Sequence, residues 1–206
     1  MGRNLATLGR LMLVTDDRLL AARDPVAVCL AAERGGVTAV QLRLKLPGGR
    51  ELAGMARALL GRLRIPVIIN DRVDVAIAVG AAGVHLGPDD LPASRCRRLA
   101  PPGFLIGVSV GGEAELANGE SADYWGIGPW AGTPTKPDAG VPLGATGFSG
   151  LLARAGDRPC FAIGGITPAD VPAVLAAGGW GVAVVSGILA AADVEQSARA
   201  YARALA

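Results

Sequence analysis

The run Val67-Ile68-Ile69-Asn70 is followed, after Asp71-Arg72, by a Val- and Ala-rich segment at 73–81 and then by Gly83-Val84-His85-Leu86. The outer two runs are short, rich in β-branched residues and almost wholly apolar. Strands buried on both faces of a parallel sheet read this way. The segment between them reads as a helix, followed by Gly83 where a left-handed residue is wanted. Strand, helix and strand in succession make the βαβ unit of an α/β protein.

The same alternation continues outward in both directions. Strands are read at 11–15, 39–43, 67–70, 83–86, 105–109, 124–128, 160–164 and 181–186. Helices are read over 25–34, 50–64, 73–81, 92–100, 112–118, 147–155, 168–177 and 194–205. Pro25, Pro92 and Pro168 stand where a first-turn proline is tolerated, and Gly35-Gly36 and Gly178-Gly179 follow helical segments. No linker or shift of composition divides the chain, so residues 1–206 read as one domain. Eight β–α pairs in one domain predict a closed (β/α)8 TIM barrel. An open doubly wound sheet is the alternative, but no G-x-G-x-x-G follows the first strand.

Composition narrows the function classes. Hydrophobic residues make up 51% of the 206 and charged residues 18%, which favours a packed core over disorder. Mean hydropathy is +0.40, yet charges, Gly or Pro interrupt every apolar run before it reaches the ~18 residues of a membrane span. Met1 to Arg10 has no secretory pattern, so a cytoplasmic protein is expected. A net charge of +2 and 4% aromatics argue against nucleic acid as a partner. Three widely spaced cysteines, Cys29, Cys96 and Cys160, suit neither a disulfide framework nor a thiolate zinc site. Of the 20 basic residues only two are lysines, Lys45 and Lys136.

In a barrel of this kind function lies at the C-terminal ends of the strands. Alternation puts Gln41, Arg43 and Lys45 on one side of the second strand. Asp71 ends the third strand, and Asp89-Asp90 follow the fourth. Carboxylates at adjacent strand ends repel each other unless a cation sits between them, which suits Mg²⁺ with room for phosphate oxygens. Each could instead cap the helix that follows. Ser109 ends the fifth strand, with no histidine near it in sequence. The one histidine, His85, reads as a satisfied structural imidazole inside the fourth strand. Thr133, Thr135 and Lys136 share a loop after the sixth strand that suits an anion. Gly164-Gly165 and Ser186-Gly187 leave room for backbone N–H groups to approach a phosphate.

These stretches, in order and in register, resemble the thiamine phosphate synthase family. They are Val40-Gln41-Leu42-Arg43-x-Lys45, Ile69-Asn70-Asp71-Arg72-Val73-Asp74 and Gly83-Val84-His85-Leu86-Gly87-x-Asp89-Asp90. Gly107-Val108-Ser109, Gly128-Pro129, Thr133-Pro134-Thr135-Lys136, Ile163-Gly164-Gly165-Ile166 and Val184-Val185-Ser186 complete the set. The resemblance implies a Mg²⁺-dependent transferase that joins hydroxymethylpyrimidine diphosphate to a thiazole phosphate and releases pyrophosphate. It implies Asp71 and Asp90 as metal ligands, and Arg43, Lys45 and Lys136 on the diphosphate. Gln41, Asn70 and Ser109 would surround the pyrimidine and its leaving group, with Leu42 and Leu44 in the same binding segment. Thr133, Pro134 and Thr135, with Gly165, Val185 and Ser186, would hold the thiazole phosphate. Arg43, Lys45, Ser109 and Lys136 are the expected catalytic residues, and a homodimer is a family-level expectation.

Leu44, Pro88, Gly111 and Gly132 depart from the family's usual residues, and Gly111 is expected to loosen the pyrimidine site. Three competing readings follow from the same residues. A sister branch of the fold tautomerises the thiazole phosphate, and should lack the carboxylate pair and offer a histidine base. A Schiff-base aldolase would use Lys136. A barrel that only binds a phosphorylated ligand would have no reason to carry the like-charge pair.

Overall fold

The computed structural model describes residues 5–133, 135 and 140–206. Eight parallel strands close into a barrel in chain order: β1 (Leu11–Val14), β2 (Ala39–Leu42), β3 (Val67–Asn70), β4 (Gly83–Leu86), β5 (Leu105–Val110), β6 (Tyr124–Ile127), β7 (Cys160–Ile163) and β8 (Gly181–Val184). β1 pairs with β2 on one side and with β8 on the other. The helices are α1 (Asp17–Leu20), α2 (Pro25–Arg34), α3 (Gly49–Leu60), α4 (Val73–Val79), α5 (Ala93–Leu99), α6 (Leu116–Gly119), α7 (Gly144–Leu152), α8 (Val171–Ala176), α9 (Ser186–Leu189) and α10 (Val194–Ala204). The expected (β/α)8 TIM barrel is the fold found. No helix among the described residues is long and apolar enough to cross a membrane.

The strands lack polar alternation because both their faces are buried. One set of side chains, including Leu11, Leu13, Val40, Leu42, Ile69, Val84 and Leu86, packs outward against the helices. The alternate set fills the interior, with Met12, Val14, Ala39, Ile68, Leu105, Tyr124, Phe161 and Ala183 standing above Leu8. Burying each large aliphatic side chain favours the fold by roughly 1.5–3 kcal/mol.

Helix boundaries moved where local caps outweighed periodicity. The short α1 was not read, because its start depends on the Asp16 side chain accepting from Arg18 N and Leu19 N. The third helix stops at Leu60, where Gly61 caps it. The expected helix at 112–118 divides into a 3₁₀ turn, Glu113–Glu115, and the four-residue α6. The helix read at 147–155 starts earlier, at Gly144, and the one read at 168–177 shortens to α8. The left-handed residue closing α4 is Gly80, at φ 70°, and not Gly83. Gly83 serves a different need, since a β-carbon there would lie 2.2 Å from Leu105 O. The eighth strand stops at Val184, and Ser186 begins α9 instead of ending the strand.

Candidate active site

The polar groups at the C-terminal mouth come from β2 to β5. Gln41 shares the interior face with Ala39, is 4% exposed, and has Nε2 3.6 Å from Met12 Sδ. Asn70 lies opposite His85 in the β3–β4 register, on the face that Ile68 gives to the interior. Leu42 and Leu44 fall on the other side. Leu42 is fully buried in the outer core and Leu44 packs against it. Their side chains pack outward, so what these two residues can offer the mouth is their backbone. The alternation of a strand, the same rule that selected Gln41, turns the side chains away.

Beyond β2 the chain carries Arg43 and Lys45, and two acids after β1 hold it. Arg43 donates to Asp16 Oδ2 at 3.2 Å, while Thr15 Oγ1 bonds the Arg43 backbone N–H (2.8 Å) and carbonyl (3.1 Å). Asp17 accepts from Lys45 N at 2.7 Å and from Leu46 N at 3.4 Å. Asp16 is 8% exposed and also caps α1. Sequence reasoning passed over both acids, although Asp16-Asp17 ends the first strand just as Asp71 ends the third.

Asp71 and Asp90 come together at the ends of β3 and β4. Asp71 is the one non-glycine residue with positive φ among those described, at 63°, and its N–H donates to His85 O at 2.8 Å. Its carboxylate forms an ion pair with Lys45 Nζ. Asp90 Oδ2 accepts from Gly87 N at 2.7 Å. Neither acid caps the following helix, whose flanking residues Arg72 and Pro92 make no side-chain cap bond. Burial pushes the Asp90 carboxyl above the usual carboxylate range, and hydrogen bonding to Asp71 adds to this. The Gly87 N–H and the Lys45 charge pull the other way. Asp89 points to solvent. No group of three or more His, Cys, Asp or Glu that could hold a metal exists among the described residues.

His85 Nε2 lies 3.1 Å from Ser109 Oγ, and His85 Nδ1 lies 3.2 Å from Tyr124 Oη. The imidazole is satisfied, as the sequence suggested, but it is also beside the serine. Residues 24 apart in sequence meet because β4 and β5 are neighbours in the barrel. Burial pushes the imidazole down to about 4, with the Asp71 charge opposing.

Opposite these groups, Gly164 and Gly165 follow β7 with φ of 94° and 67°. Ala131 N donates to Gly164 O at 2.9 Å, and a β-carbon on Gly165 would lie 2.5 Å from Gly132 O. The loop after β6 is thereby sewn to the end of β7. Trp130 anchors it against Phe148, edge to face with ring centroids 5.6 Å apart. Thr133 Oγ1 accepts from Thr135 N at 3.3 Å. Val185 and Ser186 lead into α9 beside this corner. Pro134 and Lys136 lie outside the described residues.

Residues 11–188 match the family model described as thiamine monophosphate synthase. The chain belongs to that family. It is an enzyme, a transferase of thiamine biosynthesis. A thiamine-phosphate synthase of Azorhizobium caulinodans is 50% identical over 194 residues, covering 92% of this chain and 91% of the relative. One of Xanthobacter autotrophicus is 50% identical over 200 residues, covering 95% and 94%. The solved thiamine phosphate pyrophosphorylase of Pyrococcus furiosus superposes with a TM-score of 0.86 at 33% identity, covering 98% of both chains. A 3-hexulose-6-phosphate synthase, 18% identical with a TM-score of 0.68, shares the fold alone.

Against this thiamine monophosphate synthase background, the expected residues fall into two groups. Gln41, Arg43, Lys45, Asn70, Asp71, Asp90 and Ser109 gather at the ends of β2 to β5. Thr133, Thr135, Gly165, Val185 and Ser186 follow the ends of β6 to β8.

Proposed function

We propose that this enzyme condenses hydroxymethylpyrimidine diphosphate with a thiazole phosphate to give thiamine phosphate and pyrophosphate. The observation that carries the reading is a basic and acidic cluster at one edge of the mouth. There Lys45 pairs with Asp71, which meets Asp90, while Asp16 holds Arg43 two residues before Lys45 and Ser109 stands on the next strand. In the reaction the bond between the pyrimidine methylene and its diphosphate oxygen breaks, and the thiazole nitrogen bonds that methylene with its lone pair. Pyrophosphate leaves with the electrons of the broken bond. The barrier is mostly charge growing on the leaving group, and fixed cations lower it. Arg43 arrives pre-oriented by Asp16 and Thr15, and the Lys45 backbone by Asp17. No general base is required, since the attacking nitrogen carries no proton to lose.

Asp71 and Asp90 fit Mg²⁺. Both donors are hard oxygens, and two carboxylates pressed together are held at a cost that a divalent cation would remove. With no third protein acid beside them among the described residues, the remaining positions suit phosphate oxygens and water. When bound there, the ion would supply positive charge to the departing diphosphate. Thr133, Thr135, Gly165, Val185 and Ser186 would receive the thiazole phosphate, with Lys136 on the diphosphate. A cytoplasmic setting, to which the free buried thiols of Cys29, Cys96 and Cys160 are suited, and a homodimer complete the reading.

Purified protein given both phosphorylated precursors should yield thiamine phosphate by mass with Mg²⁺, and none with EDTA. Product that persists in EDTA would remove the metal from the reading. No product under any condition would remove the condensation.

A further inference from the structure

Three polar side chains form a line inside the barrel, from Tyr124 through His85 to Ser109, and the reaction above uses only the last. Tyr124 is 1% and His85 7% exposed, whereas Ser109 is half-buried at the mouth. Two strand glycines make the room. A β-carbon on Gly107 would lie 2.4 Å from Tyr124 Oη, and one on Gly126 would lie 3.2 Å from His85 Cε1.

Counting donors decides which nitrogen of His85 carries hydrogen. Burial holds the Tyr124 phenol far above its ordinary range, so it keeps its proton. Among the described residues the one hydrogen-bond partner of that hydroxyl is His85 Nδ1. A hydrogen on Nδ1 would point at the phenol oxygen and leave the phenol hydrogen with no acceptor. An unmade buried donor disfavours that arrangement by on the order of ten- to a hundredfold. The phenol therefore donates to Nδ1, the hydrogen of the neutral ring sits on Nε2, and Nε2–H donates to Ser109 Oγ at 3.1 Å. With its oxygen already accepting, the serine turns its own hydrogen elsewhere.

We propose that Tyr124 and His85 are positioning residues that fix Ser109 as a hydrogen-bond donor to an acceptor atom of the pyrimidine diphosphate. The identity of that partner rests on the condensation proposed above; the direction of the line does not. A single hydroxyl left free to rotate could accept or donate. Held from behind by Nε2–H, it presents one polarity to the substrate.

The chain contains one histidine, so isotope labelling of histidine nitrogen gives the two ring signals of His85 without overlap. In the unliganded protein Nε2, recognised by its couplings to both ring C–H protons, is expected to carry the hydrogen. A protonated Nδ1, or averaging between tautomers, overturns the proposal whether or not thiamine phosphate is made. This measurement needs no variant and no substrate, so it stands apart from the fate of the synthase reading. Tyr124→Phe should then free the ring from its anchor and lower kcat/KM about tenfold, but less than about twofold in a Ser109→Ala background. Equal losses in both backgrounds would make Tyr124 a packing residue and overturn the proposal.

Discussion

Asp71 is expected to be a place where the fold gives up stability for the site. Its φ of 63° puts a β-carbon in the left-handed region, at a cost of roughly 1–2 kcal/mol that Asp and Asn bear best. Its carboxylate also crowds Asp90, which is pushed up by burial and by bonding to Asp71. The compensating ion pair is with Lys45, whose side chain is 51% exposed, so water screens it to about 0–1 kcal/mol. Asp71→Asn keeps a tolerated backbone and removes the like charge, so stability should change by no more than about 0.5 kcal/mol. Asp71→Gly relieves the strain but adds roughly 0.5–1 kcal/mol of unfolded-chain entropy, for a net gain of about 0–1 kcal/mol. Asp71→Ala keeps the β-carbon without the polar group and should fall about 1 kcal/mol below the parent. Urea melts at pH 7 in EDTA should therefore rank Gly first, Asn level with the parent, and Ala last. Synthase activity with Mg²⁺ should fall at least about a hundredfold in all three. An alanine variant as stable as the glycine one, or an asparagine variant weaker by more than about 1 kcal/mol, would refute the strain argument.

Two further variants test the support of the site. Asp16→Ala loses the α1 cap and the bond to Arg43, about 2–3 kcal/mol in denaturant melts, while Asp16→Asn keeps an acceptor and should lose about half as much. Both should lower kcat/KM at least about tenfold by freeing Arg43, and unchanged activity would remove Asp16 from the positioning role. Gly165→Ala places a β-carbon at φ 67° and 2.5 Å from Gly132 O. It should raise KM for the thiazole phosphate about tenfold or more and leave KM for the pyrimidine diphosphate nearly constant; equal effects on both would refute the assignment of that corner.

How far these residues could be read in advance depended on the range of the interaction. The eight strands were legible because most are short apolar runs with Gly, Pro or Asp close by, and their boundaries fell within two residues of those found. Gln41 followed from alternation, and Asp71 and Asp90 from acids at consecutive strand ends. The same alternation turns the side chains of Leu42 and Leu44 outward. Asp16 and Asp17 escaped because their importance lies in bonds to the segment after β2, some 27 residues on. The pairing of His85 with Ser109 escaped for the same reason. Neighbouring strands set it through their register, which no local pattern of either strand records.

The closure of the ring has a consequence for how the protein is made. β1 needs β8 to satisfy its second side, and Leu11 finds its partner at Val182. At roughly 5–20 residues per second, a ribosome takes on the order of ten to thirty seconds to supply that partner. Throughout that interval β1 offers an unpaired row of backbone groups, the kind of edge on which a wrong strand can settle. Contacts this distant in sequence are also the slow ones to form. The ring that leaves the finished barrel without an edge obliges the nascent chain to carry one through most of its synthesis.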